Sequence, residues 1–170
     1  MDASRRIDSA TEEEARALLT RCCGSSRWVA RMLKRRPFVR DTQLLAVARG
    51  EWFALTPEDW KEAFRHHPKI GDRAALRVRF PATADLSARE QQGVASAHDA
   101  TLDALAEANR AYEEKFGFIF IVCATGKSAD EMLALLNERI THDEATEIVI
   151  AAGEQAKITK LRLHRVAADA

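Results

Sequence analysis

The sequence of 170 residues has little of several residue types, and each scarcity excludes a class of protein. It contains only 3 cysteines, which are too few for a disulfide-stabilised scaffold. Cys22 and Cys23 are adjacent, where a bridge is rare, so we expect reduced thiols. Lys plus Arg and Asp plus Glu both number 26, which leaves no excess of positive charge for binding a nucleic-acid backbone.

Long hydrophobic runs and targeting signals are also missing. No apolar stretch approaches the roughly 20 residues that cross a bilayer. The first residues, MDASRRIDSATEEE, lack the apolar core of a secretory signal, and the last, RVAADA, carry no lipidation or peroxisomal signal. We therefore expect a cytoplasmic protein that binds neither membrane nor nucleic acid.

Glycine and proline are scarce, at 7 and 4 residues, while hydrophobic residues make up 46% of the chain. Few helix breakers in a globular composition favour helices throughout. We predict an all-α fold, a single-domain helical bundle with one short extended inner segment. The domain is expected to span 1–170, with 1–10 and 167–170 as flexible ends.

Several helix starts are visible as Ser or Thr followed three residues later by Glu, the pattern of a capping box. These pairs are Thr11/Glu14, Ser87/Glu90, Ser128/Glu131 and Thr141/Glu144. Thr56 before Pro57 predicts another start, and Asp41 can cap a further helix. Pro68 ends a helix, and we predict a loop from there to about Asp85.

The run from Phe116 to Ala124 is aromatic and β-branched. This composition fits either one buried strand or an extended core segment. One strand alone cannot form a sheet, because its backbone groups need partners. If the backbone is unpaired, its N–H and C=O groups could bind a planar ligand rich in amides.

His67, in RHHPKIGD, ends the helix stopped by Pro68 and shares a face with Trp60 and Phe64. A histidine beside a loop can exchange protons with a ligand near neutral pH. The helix dipole would favour its protonated form. Position alone, however, favours a histidine that caps the last carbonyls of its helix.

Two other polar positions allow both a structural and a functional interpretation. In SAREQQG, capping alone explains Ser87 and Glu90, but a helix N-terminus also binds carboxylates, and Gln91 adds an amide. Arg162, in KITKLRLHRV, lies on a partly apolar stripe. It could extend its charge into water or bind a carboxylate in a bidentate manner, and the sequence does not choose between these.

Two features in or near the aromatic run could indicate a function, but the sequence argues against both. ATGKS matches the end of a phosphate-binding loop, but Ile121 occupies the position of its first glycine, so we exclude nucleotide binding. Cys123 could serve as the nucleophile of a hydrolase. Its apolar surroundings would raise the pKa of the thiol and make it inert.

Four segments in this order resemble one known family. They are HHPKIGD, LSAREQQG, NRAYEEKFGFIFIVCATGKSADEMLALLNERI and KITKLRLHRV. Together they are similar to the 2-oxo-4-hydroxy-4-carboxy-5-ureidoimidazoline (OHCU) decarboxylases of purine metabolism. The similarity extends from about Ala15 to Arg165.

The resemblance implies an all-α lyase that decarboxylates OHCU to (S)-allantoin in urate degradation, without a cofactor or a metal. By position, His67 matches the catalytic histidine and Glu90 its partner carboxylate. The substrate-binding positions that the resemblance implies are Pro68, Ser87, Ala88, Arg89, Gln91, Phe120, Ile121, Val122, Cys123, Ala124 and Arg162. The partner is a small-molecule substrate, and a homodimer is plausible for the family.

Three alternatives belong to other classes. A helical binding or adaptor module would use the apolar stripes to dock a partner, and would show an apolar groove without turnover. A hydrolase would use Cys123 and would be inactivated by rapid thiol labelling. A metal-dependent enzyme would lose its activity on exhaustive chelation.

Overall fold

The computed structural model describes residues 2–67, 73–81 and 88–167, and it gives residues 88–96 as helical backbone alone. Every regular element in these ranges is an α-helix, which confirms the all-α prediction. The helices are α1 (Ala3–Ser9), α2 (Glu12–Cys22), α3 (Ser26–Lys34), α4 (Asp41–Phe53), α5 (Pro57–Arg65), α6 (Arg73–Arg79), α7 (Ala88–Phe116), α8 (Ala129–Arg139) and α9 (Glu144–Val166).

The chain divides into two compact units. Unit 1 contains the chain up to His67, Ile121–Cys123, and α9 from Ile148 onward. Unit 2 contains α6, α7, the residues that follow α7 up to Phe120, and the chain from Ala124 to Glu147. The boundary therefore crosses the predicted extended segment twice and α9 once. The single domain over 1–170 stays a prediction.

Unit 1 is built around α3, which packs against α2, α4 and α5. Its core holds all three tryptophans, and each indole N–H donates to a backbone carbonyl. Trp28 donates to Ala48 at 3.0 Å, Trp52 to Ala152 at 2.9 Å, and Trp60 to Trp52 at 3.0 Å. A buried indole needs such a partner. The bond from Trp52 ties α4 to α9.

The predicted starts of three helices are confirmed. Thr11 caps α2, Thr56 caps α5 and Ser128 caps α8, and each hydroxyl accepts from the backbone N–H three residues later. In each case the carboxylate of that third residue accepts a hydrogen bond from the backbone N–H of the capping residue. Pro57 occupies the start of α5 as predicted. These starts were predictable because the cap and its partner are close in sequence.

Two helices occupy segments where the sequence analysis placed none. Residues 3–9, expected in a flexible end, form α1 with Ile7 fully buried. Residues 73–79, predicted as loop, form α6 with Leu76 buried, so that part of the loop prediction was wrong. Arg77 pairs with Asp99 of α7 at 2.9 Å. Packing on α7 stabilises this short helix, which lacks a recognisable cap in sequence.

Asp41 and Thr141, which were predicted to start two other helices, do not cap them. Asp41 is the first residue of α4, and its carboxylate accepts from the backbone N–H of Ser4 at 2.7 Å. The last helix begins at Glu144, and Asp143 accepts from the N–H of Thr146 at 2.7 Å, as a capping residue does. The Thr141 hydroxyl donates back to the Glu138 carbonyl at 2.7 Å.

The extended segment follows a left-handed turn at Gly117, whose φ of 71° suits glycine. From Ile119 to Ala124 the backbone forms neither helix nor strand. The choice left open between a buried strand and an extended core segment therefore falls on the second.

Candidate active site

His67 is the second residue after α5, at the end of the helix where the sequence placed it. Its backbone N–H donates to the Phe64 carbonyl at 3.1 Å. The preceding residue, His66, packs closely against Gly24 in the turn between α2 and α3. A Cβ atom at position 24 would lie only 2.3 Å from the His66 ring. This packing fixes the backbone from which the His67 side chain extends.

The half-buried side chain of His67 turns toward α9. Its Nε2 atom lies 2.5 Å from Oε1 of Gln155. Position alone favoured a histidine that caps the last carbonyls of its helix. The ring instead forms its hydrogen bond with a side chain 88 residues later in the sequence.

The surroundings of His67 lower its pKa. Burial of the ring is the largest cause, and the positive charges of Arg162 and His66 act in the same direction, while the hydrogen bond with Gln155 opposes them. The ring is therefore neutral at pH 7. This direction of the pKa shift is opposite to the one that the helix dipole alone would produce, and burial is its largest cause.

Behind His67 lies a chain of uncharged polar groups. Gln155 is fully buried, and its Nε2 donates to the Thr159 hydroxyl at 3.1 Å. Thr159 also forms a hydrogen bond with the thiol of Cys23. Burial raises the pKa of Cys23 to about 12 and that of Cys22 to about 11. Both thiols therefore stay protonated and unreactive at neutral pH.

Arg162 lies near the C-terminal end of α2. Its Nη1 lies 3.4 Å from the carbonyl oxygens of Arg21 and Cys22. Its charge also contributes to the lowered pKa of His67. The structure thus adds a third interpretation to the two that the sequence left open. In this structure Arg162 interacts with the last carbonyls of a helix, where positive charge is stabilising.

The extended segment is also held by α9. The N–H of Cys123 donates to Oε2 of Glu154 at 2.7 Å, and Lys157 pairs with Oε1 of the same carboxylate at 2.5 Å. The N–H of Cys123 is thus engaged within the protein. Consecutive residues of α9, Glu154 and Gln155, therefore hold two parts of the predicted site in unit 1.

Phe120 and Ala124 belong to unit 2. The Phe120 ring packs edge-on against Tyr112, with centroids 5.2 Å apart, and the guanidinium of Arg139 lies 4.6 Å from its centre. Packing against Tyr112 and Arg139 therefore fixes the Phe120 ring.

A buried ionic cluster surrounds Glu147 in unit 2. Glu147 is fully buried, and its carboxylate accepts from Arg139 at 2.5 and 2.8 Å and from the Tyr112 hydroxyl. Its second oxygen lies 2.9 Å from Nδ1 of His142. Burial and the hydrogen bond to Glu147 raise the pKa of Tyr112, so its hydroxyl stays a donor.

Six predicted site residues are described only as backbone or lie outside the described residues. Pro68 and Ser87 lie outside the described residues. Ala88, Arg89, Glu90 and Gln91 form the first turn of α7, but only their backbone is described. The pairing of His67 with Glu90 therefore stays a prediction.

Over 2–67, 73–81 and 88–167, no three His, Cys, Asp or Glu side chains come together as metal ligands. Within the same part of the chain, no helix has the length and apolar character to span a membrane.

Sequence reasoning missed Glu154, Gln155 and Thr159. A signal was present in α9, where Gln155 and Thr159 interrupt a buried stripe at helical spacing. The other members of that stripe are Ala151, Ala152 and Leu163. A buried amide and hydroxyl within an apolar stripe need partners, and the partner is the candidate catalytic histidine.

The chain was compared with known families and proteins. The family model described as OHCU decarboxylase matches residues 8–164. The "Uric acid degradation bifunctional protein TTL" of Arabidopsis thaliana is 37% identical over 149 residues, which cover 87% of this chain. The chain spans about half of that protein, 46% of its length.

Shorter relatives and solved structures match over more of their length. The 2-oxo-4-hydroxy-4-carboxy-5-ureidoimidazoline decarboxylase of Amia calva is 32% identical, over 77% of this chain and 74% of its own. A crystal structure of OHCU decarboxylase in the presence of (S)-allantoin superposes with a TM-score of 0.72 at 37% identity. That match covers 94% of this chain and 100% of the other.

Proposed function

Because the chain belongs to the OHCU decarboxylase family, we propose that it decarboxylates 2-oxo-4-hydroxy-4-carboxy-5-ureidoimidazoline to (S)-allantoin. The observation that carries the proposal is the full-length match to the structure obtained with (S)-allantoin. The candidate site adds a neutral, half-buried histidine at the position that the resemblance implies. The reaction belongs to urate degradation, as the name of the Arabidopsis relative indicates for that protein.

The reaction needs a site that holds the ring, stabilises charge and moves protons. The bond between the ring carbon and its carboxylate breaks, carbon dioxide leaves, and the electron pair is delocalised into the ring. The hydroxyl of that carbon then loses its proton and becomes a carbonyl, while one proton must reach one face of the neighbouring ureido-bearing carbon to give a single enantiomer. General acid–base groups accelerate such steps by roughly 10²–10⁴-fold.

His67 suits this proton transfer because its ring is neutral. A neutral imidazole can accept a proton from the substrate hydroxyl, and Glu90 shares the proton transfer in our proposal. Arg162 stabilises substrate oxygens. Its 3.4 Å contacts with the α2 carbonyls are long for a guanidinium, so a substrate oxygen can replace them with shorter bonds. The backbone of the extended segment and the helix N–H groups bind the remaining polar edges.

A stereochemical assay tests the activity. Urate oxidase and hydroxyisourate hydrolase generate the unstable substrate in the cuvette, and circular dichroism follows the allantoin formed. With this protein and a chelator present, we expect rapid formation of the (S) enantiomer. Slow racemic product at the spontaneous rate would contradict the proposal and favour the adaptor-module alternative.

Substitution of the histidine tests the site. His67→Asn should reduce turnover to the spontaneous rate while leaving the helical circular dichroism intact. His164→Asn, on the exposed face of α9, is the matched control and should retain full activity. Near-normal turnover of His67→Asn would remove His67 from the mechanism.

Three further expectations are proposed with the activity, and of these the homodimer rests on the resemblance. The chain acts in the cytoplasm, forms a homodimer, and folds as one domain. Light scattering behind a sizing column tests the dimer, and a monomer at micromolar concentration would contradict it. A single cooperative unfolding transition, seen equally by circular dichroism and by fluorescence, tests the single domain.

A further inference from the structure

Gln155 is a buried amide in direct contact with the candidate catalytic base. It is fully buried on α9, and its Oε1 lies 2.5 Å from Nε2 of His67. Neither the family resemblance nor the sequence analysis assigned it a role. A buried amide placed against a titrating ring controls which ring nitrogen carries hydrogen.

The NH₂ end of the amide lies against a second partner. The Nε2 group of Gln155 donates to the hydroxyl of Thr159 at 3.1 Å. The Thr159 hydroxyl also interacts with the thiol of Cys23. With its NH₂ end on Thr159, Gln155 presents its carbonyl oxygen to His67.

The state of the imidazole follows from this orientation. A carbonyl oxygen only accepts hydrogen bonds, so Nε2 of His67 must carry the hydrogen. In a neutral ring with hydrogen on Nε2, the lone pair that accepts protons lies on Nδ1. The opposite tautomer would place two lone pairs face to face at 2.5 Å.

We propose that Gln155 is a positioning residue that fixes neutral His67 as its Nε2–H tautomer, so that Nδ1 is the nitrogen that exchanges protons with the substrate. Thr159 holds the amide in the required orientation. The role in substrate chemistry rests on the proposed function. The tautomer itself does not depend on any activity.

Nuclear magnetic resonance measures the tautomer directly. Long-range ¹H–¹⁵N correlation spectra resolve the ring nitrogens of the five histidines, and loss of one set in His67→Asn assigns His67. At pH 8 we expect the Nε2–H form alone. An Nδ1–H form in the wild-type protein would overturn the proposal.

Substitution of Gln155 supplies the second readout. Gln155→Met keeps the length and removes the hydrogen bond, so we expect a mixture of tautomers and a roughly tenfold fall in kcat/KM. Gln155→Glu places a carboxylate on the ring and should raise the acid limb of the kcat/KM profile by about one pH unit or more. An unchanged tautomer and pH profile in both variants would contradict the proposal.

Matched variants separate positioning from folding. Gln43→Met makes the same exchange on the exposed face of α4 and should change neither readout. Thr159→Val releases the amide and should give mixed tautomers, whereas Thr159→Ser keeps the hydroxyl and should restore the Nε2–H form. Mixed tautomers in Thr159→Ser, or the pure form in Thr159→Val, would refute the role of Thr159.

The two readouts distinguish failure of this inference from failure of the proposed function. If the protein makes (S)-allantoin but the Gln155 variants keep the wild-type tautomer and pH profile, Gln155 is not a positioning residue and the function stands. If the tautomer responds as expected but no (S)-allantoin is made, the assigned tautomer stands and its catalytic role falls with the proposed function.

Discussion

The two units bury polar groups in opposite ways. In unit 2, Glu147 and Arg139 are buried as a charged pair. Tyr112 and His142 are further hydrogen-bond partners of the Glu147 carboxylate. In unit 1, the polar chain from His67 through Gln155 to Thr159 is uncharged. A buried charge must be compensated in full, so the first cluster is fixed. An uncharged chain that ends at a half-buried imidazole leaves that ring able to change its protonation state.

Breaking the charged pair should have the largest effect. Glu147→Gln removes the carboxylate with which the buried guanidinium of Arg139 pairs, and breaking a buried ion pair destabilises proteins by about 3–5 kcal/mol. Urea unfolding measures the change. In the double variant with Arg139→Met, the loss should be smaller than the sum of the single losses, and additive effects would contradict a coupled pair.

Breaking the uncharged chain should have a smaller effect. Gln155→Met leaves the Nε2–H of His67 and the hydroxyl of Thr159 without the amide, and an unsatisfied buried group costs about 1–3 kcal/mol. The same unfolding measurement compares it with Glu147→Gln. A loss equal to or greater than that of Glu147→Gln would reverse the comparison.

The pH dependence of stability should distinguish the two networks as well. The folded protein holds the pKa of His67 below its ordinary value of 6.5, so below about pH 6.5 the unfolded chain binds a proton that the folded state does not. This contribution to stability is present above that pH and is lost as the pH falls toward the folded pKa. Urea unfolding from pH 5 to 7.5 should therefore show a shallower slope in His67→Asn, and an identical slope would contradict the lowered pKa.

The smallest effect is expected at an exposed ion pair. Arg16 and Glu12 lie 2.9 Å apart, with 50% and 75% of their side chains exposed. Glu12→Gln should change the free energy of unfolding by about 0.5 kcal/mol or less. A loss comparable to that of Glu147→Gln would show that burial does not account for the difference between the pairs.

How far the sequence predicts this molecule depends on sequence separation. Thr11, Thr56 and Ser128 were recognised as caps because their partners lie three residues away. α6 was missed because it is stabilised by packing on α7, with Leu76 buried, and RAALRVR carries no local signal for that packing. Propensity and capping describe only neighbours in the chain.

The candidate site follows the same rule. The position of His67 was predictable from the helix that ends beside it, and its role came from the resemblance. Its partner Gln155 was not predictable, because the contact spans 88 residues. The protonation state of His67 also escaped prediction, since burial, its largest determinant, depends on the tertiary fold. For Arg162 the sequence suggested contact with either solvent or a ligand, but not the contact with the α2 carbonyls that the structure shows.

The discontinuity of unit 1 has a consequence for synthesis on the ribosome. His67 is made 88 residues before Gln155, a delay of roughly 4–18 s at ordinary elongation rates. During that interval α1 to α5 lack α9, and the indole of Trp52 lacks its acceptor, the Ala152 carbonyl. The nascent chain therefore carries its histidine long before the group that orients it. A product terminated before α9 would have every residue of the first five helices and no assembled site.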